Sequence, residues 1–268
     1  MSSMISQKTG ILLLLILTTI VAVTALLVPR IPQPPAYHLF ADRRAWLGVA
    51  NFGDVVSNLP FAVIGLWALA FLARAGMPAP QFLDPRERVP YFVVFVGLVL
   101  TAFGSAYYHL HPDNARLVWD RLPMTIVFVA MVATVIAERI SVRAGLWLLP
   151  LLLAIGAGSV VIWYRSELRG AGDLRLYAAV QVYSALVLLT APLFPARYTR
   201  GPDLGVVVGF YALAKALEIL DQPIFALGHI VSGHTLKHLA GAAAGYWILR
   251  MVAKRTPLAQ PSMRQTSS

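Results

Sequence analysis

Two histidines stand four residues apart in His234-Thr-Leu-Lys-His238, at the mouth of the apolar run from Leu239 to Val252. On a helix that spacing stacks both imidazoles on one face, about 6 Å apart along the axis, within reach of a single metal ion. Zinc-hydrolase helices with His-x-x-x-His carry a glutamate directly after the first histidine as general base. Here Thr235 holds that position. A base for such a metal must come from elsewhere in the chain.

The elements that position this pair follow from composition. The 268 residues are 58% hydrophobic and only 13% charged, where a soluble domain carries about 25%. Several apolar runs approach 18 residues, which predicts an all-α, polytopic integral membrane protein. With no cysteine, disulfides and thiolate zinc sites are excluded, so any zinc is held by histidine and oxygen. The net charge of +10 is spread over short loops with no basic stripe between exposed aromatics. That argues against nucleic acid and for the lipid bilayer surface as the partner.

Eight spans are predicted: Ile11–Val28, Asp54–Leu72, Pro90–His109, Leu122–Ala137, Leu146–Tyr164, Leu176–Phe194, Leu204–Leu220 and His234–Arg250. The first is too long for a signal-peptide core and lacks an A-x-A cleavage site, so it reads as a membrane helix with its outside loop, residues 1–50. Residues 51–252 form a seven-helix domain, and residues 253–268 read as a disordered basic tail. With the N-terminus inside, the inside segments hold twelve Lys and Arg against eight outside. The chain is therefore expected to run N-in, C-in. Its oligomeric state is not legible.

Parity places the end of span three, the start of span four and the start of spans two and eight at one leaflet, the non-cytoplasmic one. Span three ends in Ser105-Ala-Tyr-Tyr-His109, span four opens near Asp120, and span two carries Ser57-Asn58. Ionisable groups at such depth are costly and usually functional. His109, His234 and His238 would supply three nitrogen ligands and leave a fourth position open, the catalytic pattern for zinc. Asp120 can accept a proton from water and return it to a leaving amine. Ser105 can hydrogen-bond the oxyanion formed on an attacked carbonyl.

These residues resemble the alkaline ceramidase family and its wider CREST superfamily of integral-membrane hydrolases. The matching motifs are Ser57-Asn58, Ser105-x-x-x-His109, Asp120-x-Leu-Pro-Met and His234-x-x-x-His238, in the same order on corresponding spans from Asn51 to Arg250. The resemblance implies a seven-helix zinc amidase that cleaves ceramide, or a related long-chain N-acyl lipid, to an amine and a fatty acid. It makes His109, His234 and His238 the zinc ligands, Asp120 the acid/base and Ser105 the carbonyl stabiliser. Eukaryotic members share an acidic calcium cluster before the first core span. Here only Asp42, Asn51 and Asp54 stand there, beside Arg43 and Arg44, which argues against calcium and fits a bacterial-type member. Lys237 takes a place where aromatics are common in the ceramidases, and it could meet an acidic lipid headgroup.

Plainer readings stand beside these. The histidine pair could bond loop carbonyls, Ser105 could back-bond to the Thr101 carbonyl, and Asp120 could cap span four. Ser57 and Asn58 could support a ligand or merely join helices. Lys215 and Glu218 read as a self-neutralising ion pair in span seven, and His111 and His229 as solvated loop histidines. A zinc-containing seven-helix receptor without turnover is the alternative to the amidase, favoured by a fourth protein ligand on the metal.

Overall fold

The structure, a computed structural model, describes residues 6–74 and 80–258. Its helices are α1 (Gln7–Leu27), α2 (Phe52–Val56), α3 (Leu59–Arg74), α4 (Arg88–Leu110), α5 (Asn114–Arg139), α6 (Val142–Leu168), α7 (Arg175–Thr190), α8 (Asp203–Ile219), α9 (Asp221–Ala226) and α10 (Gly233–Lys254). Among the described residues no strand forms. Each predicted span coincides with a long helix or, for the second, with α2 and α3 together. Six of these are long and apolar enough to cross a membrane: α1, α2–α3, α4, α5, α6 and α7. Of the other two, α8 has 17 residues and α10 opens on the polar stretch around His234. The protein is a multi-pass helical membrane protein.

Burial sorts the helices. In α5, 72% of the most apolar stretch is inside the protein, against 11% in α1. Helix α5 is thus the central post, and α1 lies against α7 with Leu14 turned into the protein and most of its other leucines and isoleucines exposed. Side-chain bonds fasten α1, from Thr18 Oγ1 to the Tyr183 hydroxyl at 3.0 Å and from Gln7 Nε2 to the Ile140 carbonyl at 2.8 Å.

Two prolines shape the end that carries the histidines. Pro60 has no N–H to give the Val56 carbonyl, and its ring crowds that carbonyl, so the helix breaks between α2 and α3. In the break, Ser57 Oγ (3.1 Å) and Asn58 Nδ2 (2.7 Å) both donate to the Asp54 carbonyl. Pro123, inside α5, likewise leaves the Trp119 carbonyl without its helical donor. A Cβ on Gly104 would land on that carbonyl. Glycine there lets α4 and α5 approach backbone to backbone, which brings Ser105 and His109 level with Asp120.

Helix α5 begins at Asn114, eight residues before the predicted start of its span. An unbroken apolar run marks only part of a helix, and Arg116, Asp120 and Arg121 interrupt the run in the turns before Leu122. Asp113 is the N-cap, its carboxylate accepting from the Arg116 N–H at 2.7 Å. Asp120 therefore lies almost two turns inside the helix, buried, and the capping reading of Asp120 is corrected.

The opposite end of the bundle is pinned by buried charge. Arg255 pairs with Glu138, donates to the Tyr91 hydroxyl at 3.0 Å and stacks over the Tyr198 ring at 4.1 Å. Glu87, fully buried, accepts from Arg197 at 2.6 Å and from the Tyr198 hydroxyl. Beyond α10 the chain pairs with the α7–α8 connection, Thr199 N to Thr256 O at 2.9 Å and Leu258 N to Arg197 O at 2.9 Å. The tail expected from residue 253 is therefore ordered at its start: α10 continues through Lys254 and residues through Leu258 are docked, because Arg255 has an acidic and aromatic socket. Residues 259–268 of that tail lie outside the described residues.

Candidate metal centre

The three histidines come from two helix ends whose backbones are individually anchored. Ser232 caps α10, its hydroxyl accepting from the Thr235 N–H at 3.0 Å, and this fixes where His234 and His238 fall. The His234 N–H, one of the first-turn donors with no helical partner, goes to Asp221 Oδ1 at 2.8 Å. The other Asp221 oxygen takes the Ala41 N–H at 2.9 Å, tying the loop before α2 to the same point. On the α4 side, Asn51 Nδ2 donates to the His109 carbonyl at 2.7 Å. Asn51 sits at φ +47°, a left-handed conformation that asparagine tolerates better than most residues.

The imidazoles form a near-equilateral triangle, with ring centroids 4.8, 4.9 and 5.0 Å apart. One nitrogen from each lies within 4.8 Å of the others, and all three rings are buried. Three nitrogens on a tetrahedral zinc stand about 3.3 Å apart, given Zn–N bonds near 2.0–2.1 Å. Small side-chain rotations would close this triangle on an ion. Both ring nitrogens of His109 are buried without a hydrogen-bond partner. An imidazole orphaned in this way is costly in a core, and a metal ligated from inside the triangle would satisfy one of its two nitrogens. His238 Nδ1 lies 2.7 Å from Ser57 Oγ, whose own hydrogen goes to the Asp54 carbonyl. Nδ1 thus carries a proton and leaves Nε2 bare for a ligand bond. The residues fit a three-histidine metal.

Thr235, in the zincin glutamate position, donates instead to Asp54 Oδ1 at 2.8 Å, locking α10 to α2. Phe40 covers the triad, its ring centroid 4.7 Å from His109 and 4.5 Å from His234. The loop that carries Phe40 is held by Arg44. Its guanidinium grips both Asp42 oxygens at 2.8 and 2.7 Å and donates to the His229 and Ile230 carbonyls at 2.7 and 2.8 Å. These bonds from Arg44 hold the Asp42 carboxyl below the usual carboxylate range.

Beside the triad opens a cavity of about 460 Å³. Ser105, Asp120, His238 and Lys237 line its polar end. Leu98, Met131, Leu188, Val207 and Ile248 line the remainder. Ser105, near the end of α4, and Asp120, on α5, face this cavity together. The Lys215–Glu218 pair forms at 2.5 Å as expected, but Lys237 joins it, its ammonium 2.6 Å from the other Glu218 oxygen and 3.2 Å from His234 Nε2. Tyr37, its hydroxyl pushed up to about 12 by burial and the Glu218 charge, stays protonated and donates to Glu218 at 3.1 Å. Arg121 also lines the cavity, donating to Gln33 at 2.5 Å and stacking over Trp163 at 4.1 Å.

The structure thus brings together His109, His234, His238 and Ser57 in direct contact, and Ser105, Asp120 and Lys237 around one adjoining cavity. Asn58 Nδ2 donates to the Asp54 carbonyl, and no hydrogen bond joins Asn58 to a histidine among the described residues. His111 and His229 are exposed loop residues. Asp54, Asp221 and Phe40 were not singled out from the sequence as parts of the site. The rule that selected Asp120, an acid at the edge of an apolar run, also applies to Asp54 and Asp221. Phe40 carries no sequence signal. No family model matches the chain, and no curated protein matches it.

Proposed function

We propose that this protein is a zinc-dependent lipid amidase of the alkaline ceramidase type, hydrolysing the amide of ceramide or a related long-chain N-acyl lipid. One observation carries the reading: a buried three-histidine cluster, one ring of it without any hydrogen-bond partner, adjoins the polar end of a largely apolar cavity inside a membrane protein. A carboxylate and a hydroxyl suited to acyl transfer line that same end. Zinc held by the three imidazoles would supply a Lewis acid beside the scissile carbonyl and would acidify water. Three protein ligands leave a position for reactants. Among the described residues no fourth His, Cys, Asp or Glu joins the group, which favours turnover over the receptor alternative.

The chain's own residues divide the work. From His238 to Ile248, α10 descends about 15 Å along the cavity, and this apolar length receives the acyl chain. The amide carbonyl rests at its head, where the Ser105 hydroxyl donates to the oxygen as negative charge develops. Asp120 accepts the proton of the attacking water as the C–O bond forms. It then delivers that proton to the amide nitrogen as the C–N bond breaks. Phe40 keeps bulk water off the histidines from above. Lys237 and Lys215, both paired with Glu218, present a polar wall with one net positive charge to the headgroup.

The direct test is metal analysis of purified protein together with a hydrolysis screen of N-acyl sphingoid, N-acyl ethanolamine and N-acyl amino-acid lipids. Free fatty acid should appear, and a chelator should abolish its release. Metal-loaded protein inert toward all three classes would transfer the reading to the receptor alternative.

In the same reading, residues 51–252 are a seven-helix catalytic domain preceded by α1. The chain runs N-in, C-in, with the site on the non-cytoplasmic side. The chain lacks cysteine, so His111→Cys and Ser262→Cys give single labelling sites. An impermeant maleimide added to right-side-out vesicles should label the first and spare the second. Equal labelling of both from one face would overturn this arrangement.

A further inference from the structure

The bias of positive charge toward one side of this protein is weak for a membrane chain, and the structure gives a reason. Four of the eight arginines on the histidine face, Arg30, Arg165, Arg169 and Arg175, converge on one cleft of about 400 Å³. The cleft lies where the chain leaving α1 passes between the C-terminal end of α6 and the N-terminal end of α7. Asp173 is the one acid in its lining, and that charge is already matched. Arg175 grips it from Nε to Oδ1 at 2.9 Å and from Nη2 to Oδ2 at 2.8 Å, while Nη1 donates to the Val28 carbonyl at 2.7 Å. Arg175 is thus structural.

The other three are not. Among the described residues, the guanidiniums of Arg30, Arg165 and Arg169 make no hydrogen bond and no ion pair; Arg30 only adds its field at Asp173. Three cations without an acidic partner around one concavity give it a positive potential that favours an anion between them. Fork-shaped guanidinium donors match phosphate oxygens in particular. The depth of the cleft selects the source of that phosphate. Leu26, Leu27, Ile162 and Leu168 flank it and are 74%, 78%, 51% and 69% exposed, so the apolar lipid-facing surface ends at the arginines. A phosphate arriving at that boundary with acyl chains below it meets both kinds of surface at once.

We propose that this cleft binds the phosphate of an anionic phospholipid headgroup from the leaflet on the histidine face. The site is distinct from the main cavity but adjoins it. Leu174 N donates to the Ile31 carbonyl at 2.8 Å, and these two residues line the main cavity while their neighbours Arg30, Asp173 and Arg175 line the cleft. The bound lipid stands beside the cavity wall and joins the ends of α1, α6 and α7 on their charged side. It is a resident lipid, not the hydrolysed one, and the assignment does not rest on the amidase reading.

The test is thermal unfolding of the full chain in neutral detergent micelles, titrated with dioleoyl phosphatidylglycerol, dioleoyl phosphatidylcholine or inorganic phosphate. Phosphatidylglycerol should raise Tm saturably and phosphatidylcholine should not. Each of Arg30→Gln, Arg165→Gln and Arg169→Gln should weaken the apparent affinity about fivefold, and the triple variant on the order of 100-fold. A charge-matched triple on the opposite face, Arg74→Gln, Arg143→Gln and Arg250→Gln, should bind as the parent does. All three cleft arginines are exposed, and an unchanged Tm in phosphatidylcholine confirms that the variants fold. Equal stabilisation by the two lipids, or parental affinity in the cleft triple, would overturn the proposal. Full stabilisation by inorganic phosphate, lost in the cleft triple, would reject the lipid and assign a soluble-anion site.

Discussion

His109→Ala, His234→Ala and His238→Ala should each reduce the metal content of the purified protein from about one ion per chain to near zero, and amide hydrolysis to background. The expectation is steep because each ring is a third of the ligand set, in a pocket with no other His, Cys, Asp or Glu donor close enough to substitute among the described residues. The three differ in what the substitution leaves behind. His109 makes no hydrogen bond through its ring, so alanine there removes a ligand and two unpaired polar atoms together. The apo form of that variant should unfold no earlier than apo parent. His238→Ala also takes from the Ser57 hydroxyl the ring it meets, though its bond to the Asp54 carbonyl remains, and His234→Ala removes the neighbour of Lys237. Ser57→Ala is the graded control, since loss of a group that orients a ligating histidine typically costs about 10- to 100-fold in metal affinity. Metal analysis after dialysis against a weak chelator separates these cases. Stoichiometric metal in all three alanine variants would place the ion elsewhere and remove the basis of the site.

What the sequence made legible here depended on simple periodicities. Apolar run length located every long helix, and counting spans was enough to put His109, Asp120 and the His234–His238 pair at one end. The four-residue spacing then gave the shared helix face. The rest depended on contacts between distant segments. Nothing local in Lys237 announces that its partner is Glu218 on α8, because the pair is neither i+3 nor i+4. Ser57 was ambiguous until Pro60 was seen to break the helix and turn that hydroxyl toward His238. The start of α5 escapes a run-length reading because Arg116, Asp120 and Arg121 interrupt the apolar pattern, and this makes Asp120 resemble a cap. Arg255 looked like part of a polar tail, yet its socket is assembled from Glu138, Tyr91 and Tyr198, residues on three other segments. Charge counting registered the four arginines of the cleft only as a diluted bias, since their convergence belongs to the fold.

Asp120→Asn should keep full metal content and a parental Tm while hydrolysis of a long-chain N-acyl lipid falls by ~100- to 10,000-fold, the usual effect of losing one general acid/base. Stability is expected to survive for a structural reason. The cap of α5 is Asp113, so position 120 bears none of the helix terminus. An amide is also isosteric with the carboxylate and fills the same buried space. What asparagine cannot do is take a proton from water and release it to nitrogen. The loss should therefore appear in kcat more than in KM, because binding of the acyl chain depends on the apolar cavity and not on this carboxylate. Ser105→Ala gives the complementary result. It removes a donor to the developing oxyanion and leaves the proton route intact, so a loss of about 100- to 1,000-fold is expected. The acidic limb of its pH profile, set by Asp120, should remain. If Asp120→Asn turns over at the parental rate with its metal in place, the proton carrier is another group, and the neighbouring Glu218–Lys237 pair becomes the next to test.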